Sequence, residues 1–406
     1  MTRVGVNQTQ IKTTNQSLII HEIRKHKSLS RSELARTLKL SAPSISFNID
    51  DLISRNVIIE TGAGKSLRGR KPINLEFNNR YGYVVAVDMV SSTTKIALAD
   101  LSGTNVLEYG YVENALHITA DVVDRIIAEI GAMLERQNIA EDKLLCICVG
   151  SPGIIDPHTN AIIYAPRVKD LPGTALRDRL ADRFRTKIMI KNDMNCFAIG
   201  EHLYGAGQGY RNFINIQLDV GTGAGIILNN KLFEGSNGSA GEIGLWAMDF
   251  KDVIHHNRIQ LDNVFDHHVS LFGLLCKVKD MYPEVLSPLD GEDITPHNIA
   301  NYARLMFNAA KSGDERVLRI IRDGVVELGC VLRNIHLLLD LELVVIGGLM
   351  LELGDLYLDP LQRFCAEHVS ERLKIVPSSL GDKAVLYGGI GEAINVVIED
   401  IVNCRD

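Results

Sequence analysis

No apolar run in the 406 residues approaches the length that spans a bilayer, and Met1-Thr2-Arg3-Val4-Gly5-Val6-Asn7 lacks the apolar core of a secretory signal. Membrane insertion is therefore not expected, and a cytoplasmic location is. The seven cysteines (Cys146, Cys148, Cys196, Cys276, Cys330, Cys365, Cys404) are odd in number and scattered, which argues against a disulfide framework and for reduced thiols. Cys146-Ile147-Cys148 sits in an apolar, strand-like run and reads as core rather than as a metal or redox site.

Charge is present but unevenly spread. Residues 1–80 carry 14 Lys and Arg against 6 Asp and Glu, a net of +8, whereas the remainder carries 29 against 44, a net of −15. A basic head on an acidic body points to a polyanionic partner for the head alone. The hydrophobic fraction of 46% and charged fraction of 23% are ordinary for a globular chain, and the length suffices for two or three domains.

In the head, Leu18, Ile19 and Ile23 recur at helical spacing across 15–27. Ser30-Arg31-Ser32-Glu33 is a capping-box pattern ahead of Leu34, Ala35 and Leu38. After Lys39-Leu40-Ser41 comes a third helix, with Ser41 as N-cap, Pro43 in the first turn and an apolar stripe of Ile45, Ile49, Leu52 and Ile53. The short connection before it predicts a helix-turn-helix. Strands are expected at 57–60 and 73–77, joined by a glycine-rich basic wing. Candidate DNA contacts are Ser41, Ser44, Ser46 and Asn48, whose short polar side chains suit base edges or phosphates in the major groove. Lys65, Arg68, Arg70 and Lys71 complete the set, because an Arg-Gly-Arg unit suits a narrow minor groove.

Beyond Arg80, strand and helix patterns alternate, and strands end in glycine turns, which predicts α/β architecture with ligands at the strand C-termini. The ordered motifs Leu29-Ser30-Arg31-Ser32-Glu33-Leu34-Ala35, Arg68-Gly69-Arg70-Lys71-Pro72, Gly150-Ser151-Pro152-Gly153, Lys191-Asn192-Asp193, Gly221-Thr222-Gly223-Ala224-Gly225, Ala240-Gly241-Glu242-Ile243-Gly244 and Val344-Val345-Ile346-Gly347-Gly348 cover nearly the whole chain. In that order they resemble the ROK family (repressors, open reading frames and sugar kinases), specifically its repressor branch. The resemblance implies an α/β chain with an N-terminal winged helix-turn-helix domain over 1–80, followed by an actin-like, two-lobed sugar-kinase fold of ribonuclease-H-like type. The first lobe would span 81–194, with 381–398 returning to it. The second, over 195–380, would carry effector-binding and oligomer contacts, and a homodimer or homotetramer is implied.

The resemblance also frames the chemistry. Family kinases carry a first phosphate turn of the type Asp-x-Gly-Gly-Thr, whereas Asp88-Met89-Val90-Ser91-Ser92-Thr93 places Val90 and Ser91 at the glycine positions. Family members also follow Gly-Glu-Ile-Gly with a His and a cysteine-rich zinc segment. Here Leu245 occupies the His position, and Asn257, Ile259 and Val264 fall where thiolates are needed, so no metal site is expected. Asn192, Asp193 and Glu242 carry over as effector-binding residues, and Asp266 stands where the family has a sugar-binding glutamate.

The expectation is a DNA-binding transcriptional regulator, a repressor, whose partners are a double-stranded DNA operator and a carbohydrate. It would not be an enzyme, and no cofactor is implied. A different sugar from the family's common one, a sugar phosphate, or no ligand at all are left open. The rival reading is an ATP-dependent sugar kinase with an accessory DNA-binding head. A third possibility is control by a basic protein partner docking on the acidic body.

Overall fold

The computed structural model describes residues 8–63, 73–114, 117–165, 175–248, 264–289, 292–295 and 297–403. The wing residues Lys65, Arg68, Arg70 and Lys71 lie outside them. In the head, helix α1 (Gln8–His26) precedes strand β1 (Leu29–Ser30), α2 (Arg31–Leu38), α3 (Ala42–Ser54), β2 (Ile58–Ala63) and β3 (Ile73–Phe77). Both arms of the capping box form: Ser30 Oγ accepts from the Glu33 amide at 3.4 Å, and Glu33 Oε2 accepts from the Ser30 amide at 2.8 Å. Ser41 caps α3 by accepting from the Ser44 amide at 3.4 Å. The three strands form one antiparallel sheet in the order β1-β3-β2. Helix α1 starts at Gln8, seven residues ahead of the expected start at 15, and its mostly polar first turns carry no apolar period.

Two five-stranded sheets follow, built on one plan. In the first, β4 (Tyr83–Asp88) is central, β5 (Thr93–Asp100) and β6 (Val106–Glu113) add antiparallel on one side, and β7 (Leu144–Ser151) and β10 (Lys187–Asn192) add parallel on the other. Parallel neighbours need crossovers, and α4 (Ala120–Arg136) and α5 (Ala175–Phe184) supply them. A small hairpin, β8 (Ile154–Ile155) and β9 (Ile162–Tyr164), follows β7. In the second sheet, β11 (Phe213–Leu218) is central. Strands β12 (Thr222–Leu228) and β13 (Lys231–Leu232) run antiparallel on one side, and β14 (Leu343–Gly347) and β15 (Lys374–Pro377) parallel on the other. Helices α7 (Asp266–Val269), α8 (Leu271–Met281), α9 (Ile299–Lys311), α10 (Glu315–Leu339) and α11 (Asp355–His368) cover it with one apolar core.

Two helices join the halves. Helix α6 (Asp193–Tyr204) leaves the end of β10, and α12 (Ala384–Asn403) lies against α6, β4 and β7. They cross at backbone distance: a Cβ on Gly200 would strike the Ala384 carbonyl, and one on Gly388 would strike the Cys196 carbonyl. The fully buried Glu201 binds the end of α6 to the segment before α12, accepting from the Ala206 amide at 2.7 Å, Ser379 Oγ at 3.3 Å and the Leu380 amide at 3.2 Å.

The head is not a separate bead. Ile19, Leu34, Ile45, Leu52 and Leu75 belong to the same apolar cluster as Val84, Cys146, Leu386 and Ile394. Arg55, at the C-cap of α3, donates to the Ile401 carbonyl of α12 at 2.6 Å and pairs with Asp51 at 3.0 Å. Arg24 donates to the Leu101 carbonyl at 3.3 Å.

Candidate functional site

The ends of β4, β7 and β10 converge on the start of α6. Asn192 is the N-cap: Oδ1 accepts from the Asn195 amide at 3.0 Å, while Nδ2 donates to the Gly153 carbonyl at 2.9 Å. One amide thus caps the helix and anchors the Gly150-Ser151-Pro152-Gly153 turn, so capping accounts for Asn192 rather than for Asp193. Asp193, the first helical residue, is 7% exposed. Burial pushes its carboxyl up to about 7, and the charges of Asp88 and Glu242 push the same way against the Met194 amide. Asp88, at the end of β4, is 4% exposed and raised to about 6 by burial, with the Val90 amide and Lys95 working against the rise. Sequence reasoning left Asp88 out of the site; its signal was a lone carboxylate ending the first body strand.

Glu242 precedes a short 3-10 turn (Ile243–Leu245), and burial raises its carboxyl. Asp266, at the start of α7, accepts a short hydrogen bond from the Thr222 amide and lies beside Gly221 and Gly244. One of its oxygens is therefore committed to the β11–β12 turn. Burial raises Asp266 too, against the Thr222 hydrogen bonds. Asp193 feels both Asp88 and Glu242 as like charges, which brings the expected site residues Asn192, Asp193 and Glu242 together, while Asp266 is held against the Thr222 amide.

Lys191 was not singled out as a site residue. It is 8% exposed and pairs with Glu234 at 3.1 Å and Glu392 at 3.5 Å, tying β10 to the segment after β13 and to α12. Burial works to lower its pKa, but the two carboxylates outweigh it and hold the ammonium charged.

The glycines that end β14 have packing reasons. Gly348 has φ of 99°, and a Cβ there would strike the Leu218 carbonyl; one on Gly347 would strike Gln217 and Phe197. The first turn closes on itself: the Val90 amide donates to Asp88 Oδ1 at 2.9 Å, Ser91 Oγ to the Thr93 carbonyl at 2.6 Å, and Asn114 Nδ2 to the Ser91 carbonyl at 2.9 Å. Lys95 beside it pairs with Asp382 at 2.9 Å.

On the head, Ser41 is exposed and Ser44 and Ser46 are half-buried, with Asn15 within 3.5 Å of Ser44 Oγ. The expectation for Asn48 is corrected: it is 2% exposed, and Nδ2 donates back to the Ser44 carbonyl at 2.8 Å. Three residues beyond Ile45 and four before Leu52, it lies inside the apolar stripe, not at its edge. The residue pointing away from that stripe is Phe47, 64% exposed.

Two sheets of one topology, joined by a helix pair and bordered by a cluster of carboxylates, define a protein of sugar-kinase-like α/β fold. The chain belongs to the ROK family, whose family model matches residues 84–393. It is similar to a protein named xylose repressor from Caldicellulosiruptor bescii, 28% identical over 416 aligned positions that cover 98% of each chain. The structure of a ROK family transcriptional regulator, described as a homologue of the E. coli MLC protein, superposes with a TM-score of 0.80 at 21% identity, over 97% of this chain and 98% of that one. A ROK family glucokinase from Streptomyces griseus, in complex with glucose and AMPPNP, gives a TM-score of 0.63 at 25% identity over 77% of this chain and 100% of that one. No described helix is long and apolar enough to cross a membrane.

Proposed function

We propose that the chain is a transcriptional repressor in which a neutral sugar, bound at Asn192, Asp193 and Glu242 with Asp266 behind them, sets the affinity of the head for duplex DNA. The observation that carries the reading is the continuity of parts. Asp193 opens α6, α6 crosses α12 at backbone distance, and α12 presents the Ile401 carbonyl to Arg55 at the end of α3. A ligand that changes the cleft therefore has a packed route to the head. It shifts DNA affinity only as far as it prefers one arrangement over the other.

The head is a winged helix-turn-helix domain over 1–80. Ser41, Ser44 and Ser46 address the major groove, while Lys65, Arg68, Arg70 and Lys71 address phosphates and the minor groove. The lobes are those of an actin-like fold, divided at 81–194 with 381–398 and at 195–380. A homodimer or homotetramer would present paired heads, and the location would be cytoplasmic. The likeness to a protein named xylose repressor supports both the DNA and the sugar.

The raised carboxyls favour an uncharged polyol over a sugar phosphate, because a phosphate adds negative charge where Asp193 already feels the charges of Asp88 and Glu242. In a thermal-shift screen, D-xylose or another free aldose is expected to raise the melting temperature, and its phosphate ester to do so at least ten times less potently. Stabilisation by the ester alone would contradict the neutral-sugar reading.

One observation favours a second reading, an ATP-dependent sugar kinase: a carboxyl raised to about 7 is suited to a general base. Against it stands the first turn, where Val90 and Ser91 replace glycine and the chain's own groups fill the hydrogen bonds. The thermal-shift hit, tested with ATP in an ADP-release assay, separates the two readings.

A further inference from the structure

Phe47 is a large apolar side chain that the fold does not bury. It lies two residues from both Ile45 and Ile49, which are 1% and 0% exposed, so the helical turn sets it diametrically opposite the core stripe of α3. It is itself 64% exposed. The same face carries Pro43, which has no amide proton, and Asp50, which is paired with Arg31 at 2.8 Å. Lys12 Nζ stands 5.8 Å from the Phe47 ring centroid while holding Asp51 at 2.7 Å, so a fixed cation covers one side of the ring. The ring is thus an exposed apolar centre bordered by paired charges, Lys12 with Asp51 and Arg31 with Asp50, on a head whose net charge is +8.

The net charge of the head suits a polyanion, and an apolar group on that polyanion fits the exposed ring. In the major groove the C5-methyl of thymine is the only apolar group that a base edge offers. Recognition helices reach base edges with their N-terminal residues, and Phe47 is the sixth residue of α3. We propose that Phe47 is a specificity-determining residue of the head, reading thymine through its methyl group in each half-site. The proposal rests on the head being a DNA reader. It assigns the central contact of α3 to an apolar side chain rather than to Asn48, which is turned inward.

The test uses the full-length protein and a duplex recovered by selection from random sequence. Each thymine of that duplex is replaced singly by deoxyuridine, which removes only the methyl. For the wild type, one position per half-site is expected to weaken binding about four-fold, the value of one buried methyl-sized group. Phe47→Ala is expected to weaken binding to the parent duplex by at least that factor and to be indifferent to the same replacement, while Phe47→Leu keeps part of the sensitivity. Because Phe47 is exposed, both variants should melt as the wild type does, and a circular-dichroism melt checks this. Equal sensitivity to deoxyuridine in wild type and Phe47→Ala, or none in either, would overturn the proposal. So would a loss in Phe47→Ala that is the same on every duplex, as expected of a side chain wedged between base pairs. If selection recovers no duplex at all, it is the DNA-binding reading that fails, and the two failures are therefore distinct.

Discussion

Affinity for the selected duplex is expected to fall about a thousand-fold or more as salt rises from ~50 to ~200 mM, the behaviour of a protein making six to ten phosphate contacts. The head's excess of 14 basic over 6 acidic residues is concentrated on a small domain, and four of those cations, Lys65, Arg68, Arg70 and Lys71, fall within seven residues of sequence. Two heads in a dimer double that number. Each cation that displaces a counterion adds to the slope of log affinity against log salt, so Arg70→Ala is expected to reduce the slope by about one per head. Phe47→Ala, by contrast, should leave the slope unchanged, because an apolar contact releases no counterion. Fluorescence anisotropy across a salt series measures both. A salt-insensitive affinity would contradict the DNA reading, and an unchanged slope in Arg70→Ala would remove the wing from it.

Asp193→Asn is expected to make the protein more stable and less responsive at once. The wild-type carboxyl titrates near 7 in the folded chain, above its ordinary 3.8, first because it is buried and then because Asp88 and Glu242 are near. Between those two values the folded state holds more protons than the unfolded state, so this group's contribution makes stability fall as pH rises from about 4 to about 7. Above pH 7 the full cost of the buried charge is present. The amide carries no charge but still accepts the Met194 amide, so the variant should gain about 4 kcal/mol at pH 8, and its stability should slope less between pH 4 and 7. Sugar affinity should fall about 100-fold, the worth of a hydrogen bond to an ionisable partner in a buried site. Urea melts at pH 5 and 8, with titration of the sugar found by thermal shift, measure the two effects. A variant destabilised at pH 8 would show that Asp193 is paired rather than stranded.

Much of this was legible in the chain because it depends on local pattern. Ser30 and Ser41 announced their helices through capping, and the run from Tyr83 to Asp88 announced a buried strand through unbroken apolarity. The short strand at Leu29–Ser30 was not legible, because two residues carry no period and Ser30 already reads as a cap. Asn48 was misplaced by a single helical position: a polar residue inside an apolar stripe looks like a surface residue until its hydrogen bond to Ser44 is seen. The cleft residues Asn192, Asp193 and Glu242 came from resemblance, not from spacing. Lys191 and Glu201 depend on contacts between residues more than 40 positions apart, to Glu234 and Glu392 for the one and to the 378–380 segment for the other. No local pattern could have reported those. The glycine pair Gly200 and Gly388 is similar, since their meaning lies in two helices touching, not in either helix alone.

The central claim is that cleft and head share one equilibrium, and reciprocity of binding tests it most directly. The affinity of the full-length protein for its selected duplex is measured with and without saturating sugar, and the affinity for that sugar with and without saturating duplex. Linkage requires that the two factors be equal, and a five- to 150-fold mutual weakening is expected from a typical coupling of about 1–3 kcal/mol. A sugar that binds the cleft yet leaves duplex affinity unchanged would contradict the account.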